Sequence, residues 1–368
     1  MSILKVVTVV GARPQFIKAA AVSRAIDLWN RSQRADGIEE LIVHTGQHFD
    51  HNMSQTFFDE LSIPTPRYNL EISGGSHGVM TGRMLSAIEE VLLAERPDWV
   101  LIYGDTNSTL AGAVAAAKLH IPIAHVEAGL RSFNMRMPEE VNRILSDRVS
   151  TLRLCPTPAA VENLRAEGIE SGVFNVGDVM YDAALFYRNL APERSNALQR
   201  FGLQPRAYVL STCHRAENTD DIGRLREIVS GLNMLSSELP VVLPLHPRTR
   251  KIMEEQSIQT APTVIVCAPL PFLDMVQLEQ SSRLIVTDSG GVQKEAYFYG
   301  VPCITMRDET EWVETVHAGW NLLAGADASR IANAANRLLE RELGAQMPLY
   351  GDGQAARRIV ERLLGGPG

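Results

Sequence analysis

The sequence has few cysteines, no long apolar segment and no excess of positive charge. The cysteines form no CxxC pair, which favours free thiols in a reducing cytoplasm over a disulfide or zinc framework. The N-terminal apolar run stops at Gly11 and lacks the pattern of a cleavable signal peptide. No run approaches the roughly 18 apolar residues that span a bilayer. We therefore expect a cytoplasmic protein without a membrane segment. The cysteines are Cys155, Cys213, Cys267 and Cys303.

Charge and missing motifs narrow the function further. A formal net charge of -8 argues against a general nucleic-acid binder, although a local cluster of cations can still bind an anionic small molecule. The sequence contains no GxGxxG, no P-loop, no HExxH and no histidine and cysteine set at metal-ligand spacing. These absences predict a protein that needs no metal ion.

Length and periodicity predict two domains. A chain of 368 residues is too long for one core of ordinary size, and its 45% apolar content suffices for two. Short β-branched runs alternate with helical patterns, as in parallel sheets covered on both faces. We predict two doubly wound α/β domains facing each other, residues 1–177 plus 352–368 and residues 178–351. The predicted strands are Leu4–Val10, Glu40–Thr45, Trp99–Gly104, Ile123–Glu127, Leu152–Pro156, Gly172–Val176, Tyr208–Thr212, Val241–Leu245, Thr263–Val266, Leu284–Thr287 and Cys303–Met306.

Two cations and a carboxylate follow the first predicted strands. Arg13 and Lys18 lie at a helix start after Gly11, where N-terminal amides favour an anion. An ordinary strand–helix turn with solvated cations fits the same residues. Asp105 directly follows the strand Trp99–Gly104, at the sheet edge where ligands of open α/β sheets bind. It either contacts a ligand or caps the next helix.

Two further carboxylates lie close together in the sequence. Glu127 ends a predicted strand, where desolvation raises the pKa of a carboxyl towards a useful acid–base value. Pro138 marks the next helix start, and Glu139 shares a helix face with Arg143. A surface ion pair at the helix N-terminus explains this second pattern too, and it suits Glu140 better than Glu139.

The second predicted domain carries polar groups at equivalent strand ends. His214 follows the strand Tyr208–Thr212, and His246 follows Val241–Leu245. A lone histidine is usually structural, but two at equivalent strand ends favour binding of an anion or of developing negative charge.

A Ser-Gly-Gly turn is the strongest local signal. Ser289, Gly290 and Gly291 follow the strand Leu284–Thr287 and begin a helix, so a diphosphate can approach backbone N–H groups. Glu295 lies about one turn further on, where a carboxylate can accept both hydroxyls of a ribose.

Together and in order, these motifs resemble those of the non-hydrolysing UDP-N-acetylglucosamine 2-epimerases across nearly the whole chain. The resemblance implies a GT-B-like fold of two Rossmann-type domains, a UDP-sugar in the interdomain cleft, a homodimer and no consumed cofactor. It also implies that the C2 proton leaves, UDP is eliminated to give a 2-acetamidoglucal, and both return with inversion at C2. The motifs are Gly11–Pro14, Thr45–His48, Gly104–Thr106, His125–Arg131, Pro138–Arg143, the His214 segment and Asp288–Glu295.

The resemblance also implies a role for each matching residue. The acid–base candidates are Asp105, Glu127 and Glu139. His214 is the expected partner of the leaving diphosphate, or a relay group. The expected substrate-binding residues are the charge stabilisers Arg13, Lys18, Arg143 and His246, the diphosphate cradle Ser289, Gly290 and Gly291, the ribose ligand Glu295, and Arg307 on the nucleotide or sugar.

Departures from the common bacterial pattern bear on the substrate. His214–Glu217 reads His-Arg-Ala-Glu for His-Arg-Arg-Glu, and Thr310–Glu314 reads Thr-Glu-Trp-Val-Glu for Thr-Glu-Arg-Pro-Glu; Phe49–Met53 and Gly74–Gly78 also differ. In the family, parts of these regions resemble a second, activating sugar-nucleotide site, so the departures speak against that site here. With Asn218–Asp221, they resemble the branch that acts on UDP-2,3-diacetamido-2,3-dideoxyglucuronate for surface polysaccharide.

Two substrates therefore stay open. Three alternative functions also stay open: a glycosyltransferase, a hydrolysing epimerase and a non-catalytic nucleotide-sugar sensor. UDP-N-acetylglucosamine is the family default, and the diacetamido uronate is favoured by the departures. A carboxylate at C6 requires an added cation, for which Arg131, Arg136 and Arg215 are candidates. A GT-B glycosyltransferase that uses a UDP-sugar donor shares the fold and the nucleotide site, and it is the first of these alternatives.

Overall fold

The structure is a computed structural model that describes residues 3–32, 36–47, 58, 63–341 and 344–366. His48 and the segment Phe49–Met53, which enter the sequence interpretation, lie outside the described residues. The chain divides into two compact units. Unit 1 consists of Met1–Ala183 and Pro348–Gly368, and unit 2 of Ala184–Met347.

Unit 1 is a seven-stranded sheet with helices between its strands. The strand order is β3-β2-β1-β4-β5-β6-β7, and every described pairing is parallel. This order places a topological switch point between β1 and β4. The strands are β1 (Ile3–Val10), β2 (Gly37–His44), β3 (Tyr68–Asn69), β4 (Trp99–Tyr103), β5 (Ile123–Val126), β6 (Leu152–Cys155) and β7 (Val173–Asn175). The helices are α1 (Arg13–Arg31), α2 (His77–Glu95), α3 (Asn107–Lys118), α4 (Pro138–Val149), α5 (Pro158–Ala166) and α6 (Val179–Arg194), in which the division falls.

Small residues bring helix α3 close to the sheet of unit 1. The helix carries alanines at four fully buried positions. A Cβ at Gly112 would lie 3.2 Å from Ile102 and 3.3 Å from Val9, so a larger residue would push the helix outward. The turn before α3 is thereby held firmly at the carboxyl end of β4. The buried alanines are Ala111, Ala113, Ala115 and Ala116.

Unit 2 repeats the same plan with six strands. The order is β10-β9-β8-β11-β12-β13, again with parallel pairing throughout the described strands. Its core joins the sheet to the apolar faces of two helices, Ile222–Leu235 and Ala328–Glu340. The strands are β8 (Val209–Thr212), β9 (Val241–Pro244), β10 (Val264–Cys267), β11 (Leu284–Thr287), β12 (Cys303–Thr305) and β13 (Asn321–Leu323). The helices are α7 (Ala197–Arg200), α8 (Ala216–Thr219), α9 (Ile222–Leu235), α10 (Pro247–Glu255), α11 (Phe272–Ser281), α12 (Gly290–Phe298), α13 (Val313–His317) and α14 (Ala328–Glu340).

The last helix, α15 (Ala355–Leu364), returns to unit 1 and packs on α1. Its apolar side is buried through Ile359, Val360 and Leu363. The predicted α/β class with doubly wound parallel sheets is confirmed. Among the described residues, no helix is both long enough and apolar enough to cross a membrane.

Candidate active site

The ends of three neighbouring strands build the site in unit 1. Strands β1, β4 and β5 are adjacent and parallel, so the residues that follow them meet at one edge of the sheet. Those residues are Gly11 after β1, Gly104 after β4 and Glu127 after β5. The edge lies beside the switch point, where ligands of this fold class bind.

The Glu127 carboxylate is buried and paired with a cation. Lys18 Nζ donates to Glu127 Oε2, and the two side chains are only 12% and 9% exposed. Glu127 adopts φ +71°, a left-handed conformation that is costly for a residue with a Cβ. Its N–H donates to the Leu154 carbonyl at 3.0 Å. The strained backbone thus aims this carboxylate at Lys18.

Gly104 places the Asp105 turn directly against this ion pair. The residue has φ +63°, and a Cβ there would lie 3.3 Å from both Glu127 Oε2 and Lys18 Nζ. The Gly104 N–H donates to the Val126 carbonyl at 3.0 Å, which ties the ends of β4 and β5 together. The backbone angle favours glycine here, and a Cβ would force the ends of the Lys18 and Glu127 side chains to shift slightly.

Asp105 is not the cap of helix α3. Thr106 is the N-cap, and its Oγ1 accepts from the Thr109 N–H at 3.3 Å. Asp105 Oδ2 instead accepts from Arg143 Nη2 at 2.5 Å, with the carboxylate side chain 30% exposed. Burial lowers the pKa of Arg143, but Asp105 and Glu140 outweigh it and raise that pKa overall. Asp105 therefore faces the site as a carboxylate held by a permanent cation.

The first turn of α4 holds two carboxylates in different settings. Glu140 is buried and accepts from Arg143 Nη1 at 2.8 Å and from the Ser132 and Phe133 N–H groups at 2.9 Å. Burial raises the pKa of Glu140, but these donors lower it more. Glu139 is only partly buried. The ion pair expected of this helix thus belongs to Glu140, which leaves Glu139 as the acid–base candidate.

The glycine after β1 serves packing. A Cβ at Gly11 would lie 2.1 Å from Ser108 Oγ and 2.2 Å from Thr45 Oγ1. Gln15 Oε1 accepts from the N–H groups of Gly11 at 2.8 Å and Ala12 at 3.0 Å. The amides before α1 are therefore occupied, so an anion at this turn would be bound by the side chains of Arg13 and Lys18.

A buried histidine, not singled out by the sequence, joins the two carboxylate turns. His125 Nε2 lies 2.7 Å from the Gly104 carbonyl oxygen, and Nδ1 lies 2.7 Å from Asp147 Oδ1. Asp147 Oδ2 accepts from the Gly129 N–H at 3.1 Å and from Arg131 Nη1 at 2.7 Å. Position within the motif is the one sequence signal that points to His125.

An amide pair supports Asp105 from behind. Asn142 Nδ2 donates to the Asp105 carbonyl at 2.9 Å and to Asn107 Oδ1 at 3.3 Å. Asn107 in turn contacts His77 Nδ1 at 3.1 Å from its Nδ2. These contacts join residues 30 or more positions apart, so no local pattern reveals them.

In unit 2, Asp288 builds the turn that presents His214. This fully buried carboxylate accepts from the N–H groups of His214 and Arg215, each at 3.0 Å, and from Asn218 Nδ2 at 3.2 Å. His214 Nδ1 lies 3.5 Å from Asp288 Oδ1, while the His214 side chain is 53% exposed. Asp288 therefore orients the His214 ring, while about half of this side chain stays exposed to solvent.

The Ser-Gly-Gly turn has room for a ligand. Ser289 caps α12, with its Oγ 3.5 Å from the Val292 nitrogen. A Cβ at Gly290 would come no closer than 3.4 Å to Trp312 Nε1, and one at Gly291 no closer than 3.8 Å to Ser289 Oγ. Crowding within the chain therefore does not require glycine at either position. The space around both residues is what a bound diphosphate would need.

The remaining binding candidates of unit 2 differ in burial and in the groups that they contact. Arg307 is buried, with Nη1 2.9 Å from Glu311 Oε2 and Nε 3.3 Å from Glu217 Oε1. Glu295 is partly buried on α12. His246 is exposed, and its Nδ1 accepts from the Arg248 N–H at 3.3 Å, so it caps α10. Among the described residues, no group of three or more potential metal ligands is found.

Comparisons with known proteins identify the family. A family profile described as UDP-N-acetylglucosamine 2-epimerase matches residues 30–364. A UDP-2,3-diacetamido-2,3-dideoxy-D-glucuronate 2-epimerase from Pseudomonas aeruginosa is 54% identical over 98% of this chain and 99% of its own. A Methanocaldococcus jannaschii UDP-GlcNAc 2-epimerase solved with UDP-GlcNAc and UDP is 40% identical, with a TM-score of 0.83 over 100% of both chains.

A second solved structure gives the same result. The UDP-GlcNAc 2-epimerase of Neisseria meningitidis bound to UDP-GlcNAc is 30% identical, with a TM-score of 0.83 over 100% of both chains. The predicted GT-B-like fold of two Rossmann-type units and the predicted epimerase class are confirmed by these matches. The chain belongs to the UDP-N-acetylglucosamine 2-epimerase family.

Proposed function

We propose that this epimerase inverts C2 of a UDP-2-acetamido sugar without hydrolysing it, and that the sugar is 2,3-diacetamido-2,3-dideoxyglucuronate. UDP-N-acetylglucosamine is the second candidate substrate. The observation that carries the proposal is the pair of carboxylates Asp105 and Glu127, each beside a cation at the end of adjacent strands. The 54% identical relative that is named for the diacetamido uronate supports that sugar.

The carboxylates suit a reaction that begins with proton removal. Glu127 pairs with Lys18 and Asp105 pairs with Arg143, and a carboxylate placed in this way is a proposed proton acceptor. Loss of the C2 proton forms the C1–C2 double bond as the C1–O bond breaks and UDP departs. UDP then adds back at C1, and a proton reaches the opposite face of C2. Glu139 is the third carboxylate in this set, and inversion needs acid–base groups on both faces.

Unit 2 supplies the proposed nucleotide site. The Ser289–Gly291 turn receives the diphosphate, and Glu295 the ribose. His214 accompanies the leaving diphosphate, with Asp288 fixing its orientation. Arg307 and His246 are the proposed charge stabilisers of this side. No metal or cofactor takes part in the proposed reaction.

The uronate carboxylate at C6 requires a cation that is accessible to a ligand. Arg131 does not fit, because its buried guanidinium lies 2.7 Å from Asp147 Oδ2 and 2.6 Å from Glu167 Oε1. Arg136 is exposed, and Arg215 is 41% exposed with Nη2 3.9 Å from Glu311 Oε1. Arg136 and Arg215 are therefore the proposed carboxylate ligands.

Incubation in D2O tests the reaction and the sugar together. The protein is given UDP-2,3-diacetamido-2,3-dideoxyglucuronate or UDP-N-acetylglucosamine, and NMR follows deuterium at C2. We expect deuterium to enter C2 as the manno epimer forms, faster with the uronate. Stoichiometric free UDP would indicate a hydrolysing epimerase. Turnover that needs an added acceptor would indicate a glycosyltransferase. No incorporation with either sugar would exclude the proposed reaction.

We further propose a cytoplasmic homodimer whose product enters surface polysaccharide, such as lipopolysaccharide. Unit 1 carries large apolar side chains on its surface, including Phe133 at 79%, Met135 at 63% and Leu145 at 45% exposure. Burial by a second copy would remove this apolar surface from water. Sedimentation of the protein at micromolar concentration distinguishes dimer from monomer, and Phe133→Ser is expected to shift it towards monomer.

A further inference from the structure

The buried ring of His125 has an acceptor at each nitrogen. The side chain is fully buried at the end of β5, two residues before Glu127. Nε2 lies 2.7 Å from the carbonyl oxygen of Gly104, the residue before Asp105. A carbonyl oxygen only accepts hydrogen bonds, so Nε2 must carry a proton.

The other nitrogen faces a carboxylate that is itself ionised. Nδ1 lies 2.7 Å from Asp147 Oδ1, while Asp147 Oδ2 accepts from Arg131 Nη1 at 2.7 Å and from the Gly129 N–H at 3.1 Å. Because the permanently charged guanidinium of Arg131 and the Gly129 N–H both donate to Oδ2, these contacts favour an ionised Asp147 without any contribution from His125. An ionised carboxylate offers no proton, and Nδ1 must therefore also be protonated.

We propose that His125 is a buried imidazolium that acts as a positioning residue, holding the turn of Asp105 against the turn of Glu127. One of its bonds reaches the peptide immediately before Asp105. The other, through Asp147, reaches the peptide of Gly129, two residues after Glu127. The proposal rests on the proposed roles of Asp105 and Glu127 in proton transfer at C2.

The surrounding charges accommodate such a cation. Two carboxylates, Asp147 and Glu167, face two cations, His125 and Arg131, in one hydrogen-bonded chain. On β6, Arg153 pairs in register with His125, and its Nε donates to the Asp147 carbonyl at 2.7 Å. The remaining titratable neighbour, Cys155, is neutral because burial raises the pKa of its thiol to about 12.

The turns that His125 joins have left-handed backbone, which is strained at the one non-glycine residue, Glu127. Gly104, Glu127 and Gly129 have φ angles of +63°, +71° and +80°. A non-glycine residue in this region persists only where the surroundings over-determine it. Without the ring, the two carboxylates lose a common anchor, and a misplacement of about 1 Å costs on the order of 10²-fold in rate.

NMR of the wild-type protein tests the protonation state directly. Histidine rings are labelled with 15N, and the His125 signals are assigned by their absence in His125→Gln. We expect both ring nitrogens to show N–H resonances at neutral pH. A neutral ring with one unprotonated nitrogen at neutral pH would overturn the imidazolium.

Kinetics test the positioning role. We expect His125→Gln and Asp147→Asn each to lower kcat for C2 exchange on the order of 10²-fold, with KM changed less than about threefold. The double variant should lose little more than either single one, because both remove the same connection. Additive losses, or a loss confined to KM, would contradict the role. His44→Gln is the matched control, a buried histidine at the end of β2 whose ring packs on Phe16 with centroids 4.9 Å apart.

Backbone hydrogen exchange separates this inference from the proposed function. In His125→Gln, and not in His44→Gln, the amides of Gly104–Thr106 and Glu127–Gly129 should exchange faster. If the wild-type protein exchanges C2 of neither sugar, the proposed function fails, while the NMR and amide results still decide the role of His125. If His125→Gln does not fold, the kinetics and amide exchange of Asp147→Asn decide it. Unchanged amide exchange in folded variants would overturn the role.

Discussion

At the residue scale, Gly104 combines a left-handed backbone with close contact to the proposed acid–base residue Glu127. Replacement by alanine adds a Cβ 3.3 Å from the Lys18–Glu127 pair at φ +63°. Gly104→Ala should cost about 1–2 kcal/mol of stability and on the order of 10²-fold in C2 exchange. Gly168→Ala is the matched control, with φ +73° and no neighbouring atom within 4 Å. Equal kinetic losses in both variants, measured by deuterium incorporation, would contradict a special position for Gly104.

A variant of the proposed acid–base residue Glu127 tests proton transfer independently of nucleotide binding. Glu127→Gln keeps a hydrogen-bond acceptor for Lys18 but cannot take a proton, and the proposed nucleotide residues lie in the other unit. We expect C2 exchange to disappear while calorimetry shows UDP affinity within about threefold of wild type. Glu95→Gln, which alters a Lys5–Glu95 pair of 2.5 Å elsewhere in unit 1, should retain exchange. Loss of UDP binding in Glu127→Gln would make this residue structural.

In unit 1, the sequence predicts those site residues that are marked by their position directly after an apolar strand. Asp105 and Glu127 each follow an apolar strand, and that position alone marks them. Gln15 and Asp147 carry no such mark, because their partners are set by the fold. Gln15 bonds to Tyr103, 88 positions away, and Asp147 bonds to His125, 22 positions away. Such contacts appear only once the strands have been ordered.

At the element scale, a threonine cap ties helix α3 to the Asp105 turn. Thr106 caps α3 and Thr157 caps α5, each accepting at 3.3 Å from the N–H three residues on. Thr106→Val and Thr157→Val should each cost about 1 kcal/mol in urea unfolding. Only Thr106→Val should also slow C2 exchange, since it neighbours Asp105. A comparable slowing in Thr157→Val would show that global stability, rather than the turn, is responsible.

Asp182 links helix α15 to the rest of unit 1, and the strength of this link should depend on pH. Its oxygens accept from the Ala355 and Ala356 N–H groups at 3.1 and 2.7 Å, yet burial raises the pKa of Asp182 from 3.8 to about 6. A raised folded-state pKa gives stability that is complete below pH 3.8 and lost as the pH rises through 6.

The comparison of Asp182→Asn with wild type isolates this carboxyl. Between pH 3.8 and pH 7 the difference in unfolding free energy should move in favour of Asp182→Asn, by about 3 kcal/mol at most. Urea unfolding across this range measures it. A difference that does not vary with pH would contradict ionisation of a buried carboxylate.

Elements were predictable where they are long or strongly periodic. The central strands and helix Ile222–Leu235 are recovered from their apolar patterns, whereas strands Tyr68–Asn69 and Asn321–Leu323 are too short to show a period. Both lie at sheet edges, where pairing with one neighbour suffices. Helix Pro247–Glu255 buries only two residues, Thr249 and Met253, so its apolar pattern is weak.

At the scale of the whole molecule, the two units should respond to ligand separately. UDP without sugar is expected to slow hydrogen exchange at Ser289–Val292 and at His214–Asn218, with little change at Gly104–Thr106. Binding at 100 times Kd should also raise stability by about 2.7 kcal/mol. Protection confined to Gly104–Thr106 would place the nucleotide in unit 1 instead. Exchange mass spectrometry of the full chain resolves these outcomes.

The split of unit 1 along the chain has a consequence for biosynthesis. Unit 2 is a single continuous segment, Ala184–Met347, whereas unit 1 needs Pro348–Gly368 to complete its packing on α1. During translation, the segment for unit 2 is therefore synthesised in full before the segment that carries α15. A nascent chain released near residue 347 would carry the Ser-Gly-Gly turn in a finished sheet, but its carboxylate pair would stand in a unit with an exposed apolar face. That exposed face would make the incomplete chain a target for quality-control proteases.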